Sequence, residues 1–214
     1  MRIKCASFLL LGILAAAGCK SAYYGTMEKF GVHKRDILVD RVRDARDAQQ
    51  QAKEQFQSAL EKFRSVVSVP EGDLSAKYRT LNSELERSRT RAEAVQNRIA
   101  KVEEVSKALF DEWKKELREY SDERLKSSSQ QKLDATRRRY DQYMDVMKRA
   151  ESRIAPVLTV FNDQVLYLKH NLNAQAIGSL QSEIVTVEAD VSALVRDMEA
   201  SITEADSFIK AMAE

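Results

Sequence analysis

Apolar residues recur along most of this 214-residue chain at alternating steps of four and three. That spacing holds one stripe of a helix apolar, and a strand, whose side chains alternate with period two, cannot use it. The first series is Leu38, Val42, Ala45, Gln49, Ala52, Phe56, Ala59, Phe63 and Val66, widened by Leu60 and Val67, with Gln49 as its one polar member. A second runs through Leu74, Tyr78, Leu81, Leu85, Ser88, Ala92, Val95, Ile99 and Val102, then shifts phase through Val105, Leu109, Trp113, Leu117 and Tyr120. A stutter of this kind changes the supercoil locally. The third (Leu133, Thr136, Tyr140, Tyr143, Met147, Ala150, Ile154, Val157, Phe161, Val165, Leu168, Leu172) keeps its period across Pro156. Loss of a backbone donor there predicts a kink, at a cost of about 3 kcal/mol if nothing compensates. The fourth is Ile177, Leu180, Ile184, Val187, Val191, Leu194, Met198, Ile202, Ala205, Ile209 and Met212.

Turn residues separate the series. Val69-Pro70-Glu71-Gly72-Asp73 closes the first helix, and Asp73 can cap the next. A serine-rich stretch from Ser121 to Gln131 reads as the second connection, although its Glu, Arg and Lys could extend helix from either side, and Asn171-Leu172-Asn173 reads as the third. Six glycines, two prolines and 32% charged residues leave few turns for a sheet protein. The expected fold is all-α: an elongated, coiled-coil-like antiparallel bundle of about four long helices over residues 27–214. Helices of about 40 residues would each be roughly 60 Å long. Two hairpins side by side, or one hairpin with a second loosely docked, would both bury the stripes. Gly31 is expected to part a short leading turn, Met27 to Phe30, from the first helix.

Residues 1–18 read as a signal peptide: Arg2 and Lys4 form a charged start, and Ala6 to Ala17 an apolar run too short to span a bilayer. The run ends in Leu14-Ala15-Ala16-Ala17-Gly18-Cys19, which resembles the bacterial lipobox. The resemblance implies cleavage between Gly18 and Cys19, lipidation of Cys19 and a membrane anchor of two or three acyl chains; a secretory signal with a chance cysteine is the alternative. Several chains hold a protein essentially permanently, because each buried methylene contributes on the order of 0.8 kcal/mol. Residues 19–26 would be the lipidated tether, and Cys5 would be discarded with the leader. Lys20 in place of Asp points, by analogy with enteric sorting, to the outer membrane facing the periplasm.

Without Arg2 and Lys4 the formal charge falls from +2 to zero, with 33 basic and 33 acidic residues interspersed. Such a chain has no global electrostatic reason to bind nucleic acid. His33 and His170 form no two-ligand spacing, so neither a metal site nor a cofactor is expected, and His170 fits a helix end where a histidine meets exposed carbonyls. Asp111-Glu112, Glu103-Glu104 and Glu183 read as surface charge. Arg137-Arg138-Arg139, with Asp134 and Asp141 at helical spacing, reads as a solvated face. Ser127-Ser128-Ser129 lacks any nucleophile context and reads as linker. No catalytic residue is nominated. Phe110, Trp113, Tyr120, Tyr140 and Tyr143 bracket the second connection; they either pack across the hairpin or form an aromatic patch for a partner protein or peptidoglycan, and the exposure of their rings decides.

The stretch from Tyr23-Tyr24 to His33-Lys34-Arg35-Asp36-Ile37-Leu38-Val39-Asp40-Arg41-Val42 is similar to an uncharacterised family of gammaproteobacterial lipoproteins, the domain-of-unknown-function 2959 family. The likeness covers nearly all of the mature chain and implies a helical envelope lipoprotein, with no reaction or substrate attached. The expected function is a non-enzymatic, lipid-anchored scaffold, spacer or adaptor that meets another envelope protein. The alternatives are a holdase-like chaperone for outer-membrane proteins, whose stripe would stay partly wet, and a self-assembling homo-oligomer.

Overall fold

A computed structural model describes residues 33–69, 72–171 and 173–213. Gly18, Cys19 and the turn expected at Met27 to Phe30 lie outside the described residues. Four helices follow one another: α1 Lys34–Val67, α2 Leu74–Glu116, α3 Glu123–His170 and α4 Ala174–Ala213. Among the described residues there is no strand. The fold is all-α, as the heptads require.

Local chemistry sets most boundaries. Asp73 caps α2, accepting from the backbone N–H groups of Ser75 at 2.9 Å and Ala76 at 3.1 Å. Gly72 before it takes φ +108°, a left-handed conformation that favours glycine. At the third connection the Asn173 side chain accepts from Ala176 N–H at 2.9 Å. The second connection departs from the sequence reading. It occupies 117–122, and α3 already begins at Glu123, so Ser127-Ser128-Ser129 is helix, not linker. Asp122 is the reason: its carboxylate caps Arg124 N–H at 2.8 Å and Leu125 N–H at 3.3 Å, which starts the helix upstream of the serines. α3 also runs unbroken through Pro156.

Cross-helix pairs fix the direction of each neighbour. Between α1 and α2, Lys34 meets Glu112 at 2.8 Å and Gln55 meets Glu84 at 2.7 Å. Between α1 and α4, Arg46 meets Asp206 at 2.7 Å and Arg64 meets Glu188 at 2.6 Å. From α2 to α3, Arg89 reaches Asn162 at 2.7 Å and Glu103 pairs with Lys148; from α3 to α4, Arg153 pairs with Asp197 and Tyr167 reaches Ser179 at 3.4 Å. In every pair one number rises as the other falls, so the topology is up-down-up-down, with each helix packed on two neighbours. Contacts across the diagonal are made by side chains, as between the Phe56 and Phe161 rings, whose centroids are 6.4 Å apart.

The first stripe is buried at every position from Leu38 to Val66. From Leu81 to Val102 and from Tyr143 to Leu168 the second and third are buried too, and Val187 to Met198 of the fourth face the same core. Helices of 34, 43, 48 and 40 residues are about 50–70 Å long. They do not all end together. Lys34 at the start of α1 touches Glu112, and Arg35 donates to the Met212 carbonyl near the end of α4. Beyond that level α2 and α3 continue as a two-helix extension, which for α3 amounts to roughly 15–20 Å. The start of α1, the end of α4 and this extension therefore share one end of the bundle.

Candidate functional site: the aromatic end and the outer faces

At that end a second, smaller core is built from Phe110, Leu117 and Leu133, with Trp113 and Tyr140 packed against it. The Trp113 indole donates to Ser129 Oγ at 2.9 Å across the hairpin. Arg137 places its guanidinium 5.8 Å from the centre of the Phe110 ring. Tyr140 bridges the two cores, edge-on to Phe110 at 5.4 Å and to Phe208 at 6.4 Å. Tyr143 is fully buried and stacks on Phe208 at 5.7 Å.

The rings nominated from the sequence thus divide. Phe110 and Tyr143 are buried, Trp113 and Tyr140 half-buried, and Tyr120 alone of the five is exposed. Phe110, Trp113 and Tyr140 pack across the hairpin, and Tyr143 stacks on Phe208 of α4 in the main core, so these four do not form an open patch. Phe208, which completes the cluster, falls outside the heptad path drawn through Ala205, Ile209 and Met212. Its signal was the widened stripe that a bundle helix needs on both flanks.

Burial raises the Tyr143 phenol above its ordinary range, with the neighbouring Tyr140 adding to the effect, and its hydroxyl has no hydrogen-bond partner among the described residues. Tyr140 is raised mainly by burial and partly restored by a bond to Ser106. On the surface beside it, Lys148 is raised by its bond to Glu103. Deeper in the bundle, fully buried Gln49 directs Nε2 to the Met147 sulfur at 2.7 Å while its Oε1 has no partner.

The remaining nominated groups stay apart. His33 precedes α1 and His170 closes α3, both exposed. Arg138 and Arg139 face solvent, as does Glu183. Glu112 is bound to Lys34, and Glu103 to Lys148. Among the described residues no three His, Cys, Asp or Glu side chains converge as metal ligands would, and no helix is long and apolar enough to cross a membrane.

Two further surfaces escaped sequence reading. A groove of about 290 Å³ lies between α3 and α4 over Pro156 and Val157, lined also by Arg149, Ser152, Arg153 and Asp190. Four of those six residues are themselves exposed, so the groove is shallow. At the end opposite the aromatic cluster, α3 and α4 carry Leu166 at 49% exposure and Val185 at 71%. From Asn171 to Val187 only Glu183 is charged, in a chain that is otherwise 32% charged. That gap in the charge pattern was the available signal.

A family model described as protein of unknown function (DUF2959) matches residues 23–212, which include Tyr23-Tyr24, the segment His33 to Val42 and almost all of the bundle. No curated protein and no solved structure matches the chain significantly.

Proposed function

We propose, from the premise that this chain belongs to the DUF2959 family of proteins of unknown function, that it is a non-enzymatic lipoprotein of the bacterial envelope, held at the outer membrane by lipid on Cys19 and acting in the periplasm as a rigid helical spacer or adaptor. The observation that carries the reading is that the apolar stripes are used up inside one bundle. Leu38 to Val66, Leu81 to Val102, Tyr143 to Leu168 and Val187 to Met198 all face one shared core. A holdase would keep a stripe wet for its clients, and assembly through these stripes would leave them open in the single chain. What remains outside is a stiff body of about 50–70 Å with charged faces, suited to setting a distance.

Polarity along the rod supports the adaptor role. The chain enters the bundle at Lys34, so an anchor at Cys19 would fix the end that carries the aromatic core. The charge-poor α3–α4 face around Leu166 and Val185 would then stand away from the membrane, where an envelope protein could reach it.

Photo-crosslinking in intact cells at Leu166, Val185 and Arg138, with a Cys19→Ala control, tests the reading. A discrete protein captured at Leu166 or Val185 only when the anchor is present is the expected result. Capture of many unfolded outer-membrane chains would favour the chaperone, and crosslinks confined to second copies would favour the oligomer.

A further inference from the structure

We infer that the α2–α3 tip is a membrane-contact element that rests on anionic lipid headgroups, with Tyr120 and Leu125 in the interface; the inference rests on the anchoring of Cys19 proposed above. Three independent features of the tip lead to it.

The first is position. The extension formed by the end of α2, residues 117–122 and the start of α3 projects past the point where the chain enters α1. Residues 19–33 link the anchor site to that same end, and at about 3.3–3.6 Å per residue they span at most roughly 50 Å. A rod tethered there meets the bilayer tip first, because no other part of the described chain projects as far beyond Lys34 at this end.

The second is apolar exposure. Tyr120 is 40% exposed and Leu125 58% exposed, although Leu117 and Leu133 beside them are buried. A tyrosine and a leucine at the turn of a hairpin suit the headgroup boundary, where an amphipathic ring sits well and a small apolar group inserts.

The third is charge. Lys114, Lys115, Arg118 and Arg124 are exposed, and among the described residues their side chains have no ion-pair or hydrogen-bond partner. The nearby acids are mostly committed: Glu112 to Lys34, Asp122 to the α3 cap, Glu123 to Lys126. Asp111, Glu116 and Glu119 lie among the four cations, Glu116 with an interaction of its own, and over residues 113–126 five basic residues stand beside four acidic ones. The chain beyond residue 18 is balanced in charge, so basic side chains gathered at the tip without partners are what an anionic leaflet would attract.

The test uses the full lipidated protein in proteoliposomes of phosphatidylethanolamine and phosphatidylglycerol with brominated acyl chains. Trp113, the single tryptophan, is replaced by Phe, and a reporter is placed by Tyr120→Trp at the tip or by Tyr167→Trp at the opposite end. The tip reporter is expected to shift to the blue and lose emission to the bromines, while the opposite reporter does neither. Quenching should weaken in the Lys114→Glu/Lys115→Glu variant, in neutral phosphatidylcholine, and at high salt, where the screening length falls from about 10 Å at 0.1 M to about 3 Å at 1 M. Equal quenching of the two reporters in protein shown by mass spectrometry to be acylated at Cys19 would overturn the inference and leave the anchor standing. Protein without lipid on Cys19 would overturn the anchor and this inference with it. A tip reporter shielded from lipid by a bound protein would likewise overturn it.

Discussion

Tyr143 of α3 and Phe208 of α4 stack with ring centroids 5.7 Å apart and planes inclined by 20°, both rings lying inside the core. This pair joins the four-helix body to the aromatic core of the hairpin, since Tyr140 touches Phe208 on one side and Phe110 on the other. Phe208→Ala should therefore cost about 3–5 kcal/mol, the range for an aromatic ring removed from a packed core. Urea unfolding followed by circular dichroism reads the loss, and a cost under about 1 kcal/mol would mean that the ring is not packed there.

Tyr143 also gives the bundle an alkaline limit. Its phenol is raised above the ordinary value of 10.0, chiefly by burial, so the unfolded chain loses this proton at lower pH than the folded one. The contribution of the neutral phenol is complete below pH 10 and is lost as pH rises toward the folded value, by about 1.4 kcal/mol per pH unit. Tyr140 and Lys148, raised in the same direction, act with the same sign. In Tyr143→Phe the decline in stability above pH 10 should be shallower, and below it stability should be equal or slightly higher because a hydroxyl without a partner is gone.

Gln49 is the one polar side chain in an otherwise apolar stripe, and it contacts Met147 across the bundle. A thioether is a weak acceptor, and the Gln49 carbonyl has no partner among the described residues. Gln49→Leu is expected to stabilise the fold by about 1–2 kcal/mol. A loss of stability, or a change in oligomeric state by light scattering, would show instead that the amide selects the register of the helices.

Two glycines should respond with opposite signs. An added Cβ meets nothing within 4 Å at either Gly72 or Gly178, so space does not separate them. Gly72 holds φ +108°, and Gly72→Ala should cost about 1–2 kcal/mol. Gly178 lies within α4, where Gly178→Ala should gain about 1 kcal/mol by lowering the entropy of the unfolded chain. Thermal melts of the two variants on either side of the parent check the pair.

Much of this molecule was set locally. Heptad spacing alone determined that the chain is helical, which residues line the core from Leu38 to Val66, and that Gly72-Asp73 and Asn171 to Asn173 separate helices, because periodicity and caps act within a few residues. The serines at 127–129 misled because their weak helix propensity was outweighed by the Asp122 cap and by packing of Leu133 in the hairpin. Only the tertiary structure decided what depends on three or four helices at once. It chose one cyclic up-down-up-down bundle over loosely docked hairpins, brought Phe208 beside Tyr143, and turned four of the five nominated rings inward while leaving Tyr120 out. It also set unequal helix ends, so that α2 and α3 project beyond Lys34. A stripe states that a helix must bury one face; which neighbour covers it, and at what height, depends on side chains from different helices meeting in the same layer.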